Sequence, residues 1–248
     1  MKRFKRLIWE GCMMTTLLDV TDIQTYIGQY HILQGVSFTV KKGEVTVLLG
    51  RNGAGKTTTL RSIMGLNPVS EGRVTFNKEE IQRLAPYEIA RKGIGFVPED
   101  QGVFGGLTVE ENIKVAMQNQ DDATKARLDK VLDLFPDLKK YWKKQGGFLS
   151  GGQKQMLSIA RAYINHNDLL LIDEPSKGLA PIVVEKVMES IHEMKEQTTI
   201  VLVEQNFRMA MGVGDTFYII DDGRSVGTGR IDELAENEEL KRKYLGIA

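Results

Sequence analysis

Cysteine is almost missing from this chain of 248 residues. The single Cys12 rules out an internal disulfide, which suits a reducing compartment. No apolar run approaches the ~20 residues that a membrane-crossing helix needs. Neither charge is in excess. The 33 Lys and Arg stand against 33 Asp and Glu, and this balance argues against a general nucleic-acid binder, which requires a basic face. The histidines, His31, His166 and His192, show no metal-ligand spacing. Repeats, low-complexity tracts and linkers are absent too, so the length implies one domain with a sizeable core. The start, MKRFKR, is basic, but Leu7-Ile8-Trp9 is too short for the apolar part of a signal peptide. Because Met13 and Met14 follow at once, residues 1–13 read as an extension ahead of a domain spanning 14–248.

What is present alternates between strand and helix patterns. Leu17 to Ile23 is β-rich, and Val36-Ser37-Phe38-Thr39-Val40 alternates as a half-buried strand does. After a Lys42-Gly43-Glu44 turn, Val45 to Leu49 is a short apolar run suited to a buried strand. Lys56 to Met64 has helical pattern and ends at Gly65, while Pro86 opens a helix that stops at Gly93, ahead of a strand over Ile94 to Val97. Leu128, Val131, Leu132, Phe135 and Leu138 recur at helical spacing, as do Met156, Ile159, Ala160, Tyr163 and Ile164. Only helices are expected from Thr108 to Asn165, which implies a helical lobe of about 100–165 inserted into an α/β core. Strands are then expected over Leu169 to Ile172, Thr199 to Val203 and Phe217 to Ile220, with a helix over Pro181 to Glu196, an Asp222-Gly223 turn and a tail of about 224–248. Such alternation implies a largely parallel sheet covered on both faces.

Three short motifs carry the chemistry. Gly50-Arg51-Asn52-Gly53-Ala54-Gly55-Lys56-Thr57 fits G-x-x-x-x-G-K-[ST] between a buried strand and a helix. The glycines let consecutive N–H groups curl around phosphates, with Thr58 continuing the helix N-terminus. Lys56 would reach the β- and γ-phosphates, and the Thr57 hydroxyl would ligate Mg²⁺. Leu169-Leu170-Leu171-Ile172-Asp173-Glu174 puts two acids at the C-terminal end of a buried strand, where α/β sheets bind ligands. Asp173 would hold Mg²⁺ through water, and Glu174 would act as general base toward the attacking water. Between them, Leu149-Ser150-Gly151-Gly152-Gln153 places an N-cap and glycine N–H groups at the positive end of a helix, which reads either as an anion site or as an ordinary capped helix.

In this order the motifs resemble the ATP-binding-cassette (ABC) ATPases over about Leu17 to Gly223. The resemblance implies a phosphate-loop NTPase (RecA-like) α/β core with an antiparallel β subdomain and an inserted helical lobe. It also implies that two cassettes dimerise head to tail, so that Ser150, Gly151, Gly152 and Gln153 complete an ATP site on a partner. Departures from the general pattern are specific. Glu99 stands where most members have the Q-loop Gln and would be a Mg²⁺ ligand. Gln205 stands at the switch histidine, and Ala180 replaces the D-loop Asp. The adenine-stacking aromatic is replaced by Ile27, with Tyr26 as the nearby candidate. V-P-E, T-V-E-E-N (Thr108 to Asn112), P-S-x-G-L-A-P and L-V-E-Q-N are similar to one of the two ATPase subunits of branched-chain amino acid importers; urea and amide importers have a very similar subunit. The resemblance then implies ATP and Mg²⁺ as ligands and a second, His-bearing cassette as partner, with a homodimer possible for the isolated chain. Two transmembrane permease subunits, an extracytoplasmic solute-binding protein and a place at the cytoplasmic face of the membrane complete the expectation. Val103-Phe104, within Gly102 to Leu107, would meet a membrane subunit, or form a plain surface loop.

Overall fold

The computed structural model describes residues 15–119 and 121–245; the extension expected over 1–13 lies outside them. The chain opens with a hairpin, β1 (Thr16–Ile27) and β2 (Tyr30–Lys41), enters β3 (Val45–Leu49), and passes through the glycine-rich loop into α1 (Lys56–Ile63). β4 (Glu71–Phe76) and β5 (Glu79–Glu80) lead to α2 (Pro86–Arg91) and β6 (Ile94–Val97). A run of helices follows: α3 (Val109–Ala116), α4 (Asp122–Leu134), α5 (Pro136–Lys140) and α6 (Gly151–Tyr163). The chain then alternates through β7 (Leu169–Asp173), α7 (Pro181–Lys195), β8 (Thr199–Glu204), α8 (Phe207–Val213) and β9 (Thr216–Asp221). It continues through β10 (Arg224–Arg230), α9 (Ile231–Glu236), α10 (Glu238–Leu240) and a π-helical turn over Lys241–Leu245.

Two sheets result. The larger has the order β10-β9-β3-β8-β7-β6, parallel except for β10; the smaller, β2-β1-β4-β5, is antiparallel. Every residue of β3, β7 and β8 is buried. Their apolar runs are two alternating patterns superimposed. Val45, Val47, Leu49, Leu170, Ile172, Ile200 and Leu202 face a core shared with the helical lobe, α7 and α8. Leu48, Leu169, Leu171, Val201 and Val203 face a second core shared with α1 and the small sheet. A central strand covered on both sides therefore shows no polar face, and it buries about 1.5–3 kcal/mol of hydrophobic stabilisation per large side chain.

Local chemistry sets the element ends. Pro86 and Pro181 occupy the first turns of α2 and α7, where a missing N–H costs nothing. Thr108 caps α3 in a reciprocal box with Glu111, and Asn206 caps α8. Asp222 and Gly223 both take positive φ, +46° and +69°, the pair of conformations a two-residue hairpin turn requires. This turn closes β9 onto β10, so residues 224–230, expected as tail, form the edge strand of the main sheet. Their alternation of exposed and half-buried small residues carries too little hydrophobicity to mark a strand in sequence. β4, β5, α8 and α9 likewise go beyond the sequence reading.

Candidate functional site

The site forms where β3, β7 and β8 end together. Neighbouring parallel strands in register bring Leu49 beside Glu204 and Asp173 beside Val203, so the loops after all three open at one edge of the sheet. The phosphate loop packs tightly there. A Cβ on Gly50, whose φ is +152°, would lie 2.1 Å from the Ile220 carbonyl oxygen, so only glycine lets the loop run against β9. Gly55 takes φ +105° and delivers the chain into α1, whose N-terminal N–H groups face the loop's concavity. Arg51, Asn52 and Gly53 are exposed, Ala54 is buried, and Thr57 and Thr58 are half-buried at the helix start.

Lys56 is 4% exposed. Its Nζ donates to the Gly50 and Arg51 carbonyls at 3.0 and 3.1 Å and lies 3.5 Å from Glu174 Oε1. Burial pulls its pKa below the usual lysine value, against the opposing pull of Glu174, Asp173 and Glu204. Asp173, 1% exposed, accepts the Thr57 hydroxyl on Oδ1 at 3.1 Å, while its buried Oδ2 has no partner. Burial pushes the Asp173 carboxyl up to about 6; the Thr57 hydrogen bond opposes this, and Glu174 and Glu99 add to it. A hydroxyl beside a carboxylate with one orphaned oxygen suits Mg²⁺, which takes few protein ligands and completes its shell with phosphate and water. Among the described residues no three His, Cys, Asp or Glu side chains converge on a metal position by themselves.

Glu174 is buried and sits at φ +44°, a left-handed conformation that costs a residue with a Cβ about 1–2 kcal/mol. Functional sites store such strain. Its Oε1 accepts the Gln205 amide, and Gln205 Nε2 also donates to Asn52 Oδ1 at 2.6 Å. Gln205 therefore bridges the phosphate loop and Glu174.

Two residues that the sequence reading did not single out complete the arrangement. Lys177 Nζ pairs with Glu99 and lies 3.9 Å from Glu174 Oε2, and Glu99 holds its ammonium above the usual lysine range. Lys177, Glu99 and Glu174 line one cavity of about 310 Å³ with Asn52, Gly53, Gly55, Lys56, Thr57 and Thr58. Glu204, at the end of β8, is buried among N–H donors of two loops. Its signal was available: Thr199 to Val203 running into Glu204 repeats the pattern of Leu169 to Ile172 running into Asp173. Lys177 carries no local signal, because its partner Glu99 is 78 residues away.

Lys177 compensates for the negative charge at Glu99. Lys177→Ala should raise the ATP Kd by about three- to tenfold, and Glu99→Gln in the same background should recover part of the loss. Fluorescent-nucleotide titration of the two single variants and the double variant checks this; additive losses would uncouple Lys177 from Glu99, and an unchanged Kd in Lys177→Ala would disconnect it from the nucleotide.

The structure does not bring every expected residue to this cavity. Ser150 caps α6 in a reciprocal box with Gln153, at 3.3 and 3.0 Å, and Gly152 sits so close to α7 that a Cβ would lie 2.7 Å from Val183 Cγ1. None of Ser150, Gly151, Gly152 and Gln153 lines the phosphate-loop cavity. Tyr26 is half-exposed and stacks on His31, with ring centroids 4.2 Å apart, while Ile32 of the same hairpin lines the cavity. Val103 packs inward against the lobe core, and Phe104 stays half-exposed beneath the Arg161 guanidinium.

Residues 33–177 match the family model described as ABC transporter. The chain is 40% identical over 233 residues to BraG of Pseudomonas aeruginosa, a high-affinity branched-chain amino acid transport ATP-binding protein; the match covers 93% of this chain and all of that one. This chain belongs to the ABC transporter ATP-binding family. The cassette is also 39% identical to a probable branched-chain amino acid transport ATP-binding protein, LivF, of Archaeoglobus fulgidus, over 88% of this chain and 94% of that one. Against LptB of Escherichia coli, the ATP-binding protein of a lipopolysaccharide export system, identity is 32% over 94% and 98% of the two chains. Among solved structures, a nucleotide-free ATP-binding cassette from an ABC transporter superposes with TM-score 0.82 at 25% identity, over 94% of the cassette and all of that chain. A dimeric cassette in a post-hydrolysis state with ADP and phosphate gives 0.77 at 25% identity, over 87% and 99%. The cassette is therefore an ABC-type ATPase of a transporter, with the α/β phosphate-loop fold and antiparallel β subdomain of that family. Among its described residues, no helix is long and apolar enough to cross a membrane.

Proposed function

We propose that the cassette powers the import of branched-chain amino acids. It would pair with a second, His-bearing ATPase at the cytoplasmic face of the membrane and drive two permease subunits fed by an extracytoplasmic solute-binding protein. The observation that carries this reading is the likeness to BraG and LivF along nearly the whole chain, joined to the V-P-E and L-V-E-Q-N segments. In the chemical step, the loop N–H groups and Lys56 bind the phosphates, Lys56 leaving the Gly50 and Arg51 carbonyls to do so. Thr57 and Asp173 would hold Mg²⁺, with Glu99 as a further ligand once Lys177 releases it. When bound, the ion neutralises phosphate charge. Glu174 takes the proton of the water that attacks the γ-phosphorus, and the bond to the ADP oxygen breaks with its electron pair staying on ADP. Gln205 holds the Glu174 carboxylate and donates a neutral hydrogen bond where the family's histidine can carry charge. Adenine would rest against the hairpin near Tyr26 and Ile32.

Affinity purification from native membranes, followed by ATPase assay of what is recovered, tests the reading. Two polytopic proteins and a second cassette, with turnover stimulated by leucine-loaded binding protein, are the expected result. Stimulation by urea or an amide instead would overturn the solute. The LptB likeness favours a second reading, export of a lipid-linked substrate, and recovery of lipopolysaccharide-transport subunits would establish it.

The segment Ser150 to Gln153 separates two roles cleanly. Ser150→Ala should cost about 1 kcal/mol of stability through the lost cap. Ser150→Asp keeps a capping oxygen, so its melting temperature should stay near that of the parent. It places negative charge where a partner's γ-phosphate would sit, so turnover of the paired cassettes should fall by about tenfold or more. Full turnover in Ser150→Asp would leave helix capping as this residue's whole contribution.

A further inference from the structure

Glu174 and Gln205 stand on different loops, one after β7 and one after β8, and a single buried group ties these loops together. Glu204 is 1% exposed, and its carboxylate takes four donors. The Ser176 N–H reaches Oε1 at 3.0 Å; the Ser176 hydroxyl and the Gln205 and Asn206 N–H groups reach Oε2, each at 3.0 Å. Two donors belong to the loop that carries Glu174 and two to the loop that carries Gln205. Burial pulls the Glu204 carboxyl above the usual range, and the Asn206, Ser176 and Gln205 hydrogen bonds oppose this. Three of the four partners are N–H groups that can only donate, and the Ser176 hydroxyl can donate too, so the ionised carboxylate satisfies all four. Charge-assisted bonds of this kind are about twice as strong as neutral ones and, once buried, hold a fixed geometry.

We propose that Glu204 is a positioning residue for ATP hydrolysis, clasping the loop after β7 to the loop after β8 so that the Gln205 amide meets Glu174. The inference rests on Glu174 and Gln205 acting in hydrolysis and is independent of the transported solute. A carboxylate that merely anchored a loop would contribute to stability and leave the reacting geometry alone. A clasp has a different signature: losing it displaces Gln205 while leaving the phosphate loop and its nucleotide affinity in place.

The test uses the full-length protein and compares Glu204→Gln, Ser176→Ala, Glu204→Ala, Gln205→Ala, Glu174→Gln and the Glu204→Ala/Gln205→Ala pair. Phosphate release gives kcat and KM, a fluorescent ATP analogue gives Kd, and thermal melts report folding. Glu204→Gln puts an amide N–H against a donor, and its kcat should fall by about tenfold to a hundredfold, as small misplacements of catalytic groups do. Ser176→Ala removes one of the four donors and should fall less. Kd should stay within about twofold in both variants, the split that distinguishes a lost transition-state contact from lost binding. The double variant should be no slower than Gln205→Ala alone, because the second change removes what the first had already displaced. If Glu204→Ala fails to fold, Glu204→Gln and Ser176→Ala carry the comparison. Unchanged kcat in those two, or multiplied losses in the double variant, would overturn the clasp while the site assignment stands. Full turnover in Glu174→Gln and Gln205→Ala would overturn both.

Discussion

Glu174→Gln is expected to lower ATP turnover by about 10²–10⁴-fold, the range set by removing a general base, with ATP affinity retained. The substitution is nearly isosteric. Its amide oxygen can still accept the hydrogen bond that Gln205 now gives to Oε1, so the loops keep their arrangement while the proton acceptor is lost. The loss should therefore appear in kcat, with the Kd of a fluorescent ATP analogue close to that of the parent. Where the cassette pairs with a His-bearing ATPase, as proposed above, the matching change in that partner sharpens the result. Gln205 cannot carry the positive charge of a histidine, and Glu99 adds negative charge beside the phosphates. This cassette's composite site should accordingly be the slower of the two, and the partner's Glu→Gln change should cost more transport. Equal losses from the two single changes would remove the asymmetry.

Lys56→Met is expected to abolish the thermal stabilisation that ATP gives the cassette. A ligand present at 100 times its Kd contributes about 2.7 kcal/mol, and all of this disappears when the Kd rises well above the ligand concentration. The apo protein should lose stability too. Lys56 is the buried cation 3.5 Å from Glu174, and its Nζ satisfies the Gly50 and Arg51 carbonyls. Removing it leaves Glu174 and two carbonyls without that partner, and leaving a buried polar group unsatisfied costs about 1–3 kcal/mol. Melts with and without ATP separate the two effects. A variant that melts lower but still gains the full ATP increment would show that Lys56 holds the loop and contributes little to the phosphates.

The phosphate loop, the helix capped by Ser150 and the acid pair were legible because each depends on contiguous residues. A glycine supplies positive φ wherever the turn needs it, a Ser caps the helix that follows it, and an acid after four apolar residues ends a buried strand. The helical lobe was legible for the same reason, through apolar spacing along α4 and α6. Strand β10 was not, since Arg224 to Arg230 is made a strand by the hairpin to β9 more than by its own residues. Tyr26 shows the limit at the level of one side chain. Its place one residue from Ile27, where the family resemblance puts an aromatic, was readable, but its stacking on His31 depends on the cross-strand register of β1 and β2.

The sequence by itself determined which residues form the phosphate loop and the acid pair, which elements carry them and the family to which the chain belongs. Those properties arise from backbone conformation and short-range hydrogen bonding. The tertiary structure alone decided that Gln205 meets Asn52 across 153 residues, that Lys177 faces Glu99 across 78, and that Glu204 joins two loops. These contacts exist because β8 lies between β3 and β7 and β6 lies beside β7, and strand order is fixed by burial on both faces of the sheet, a condition that no local window of sequence contains.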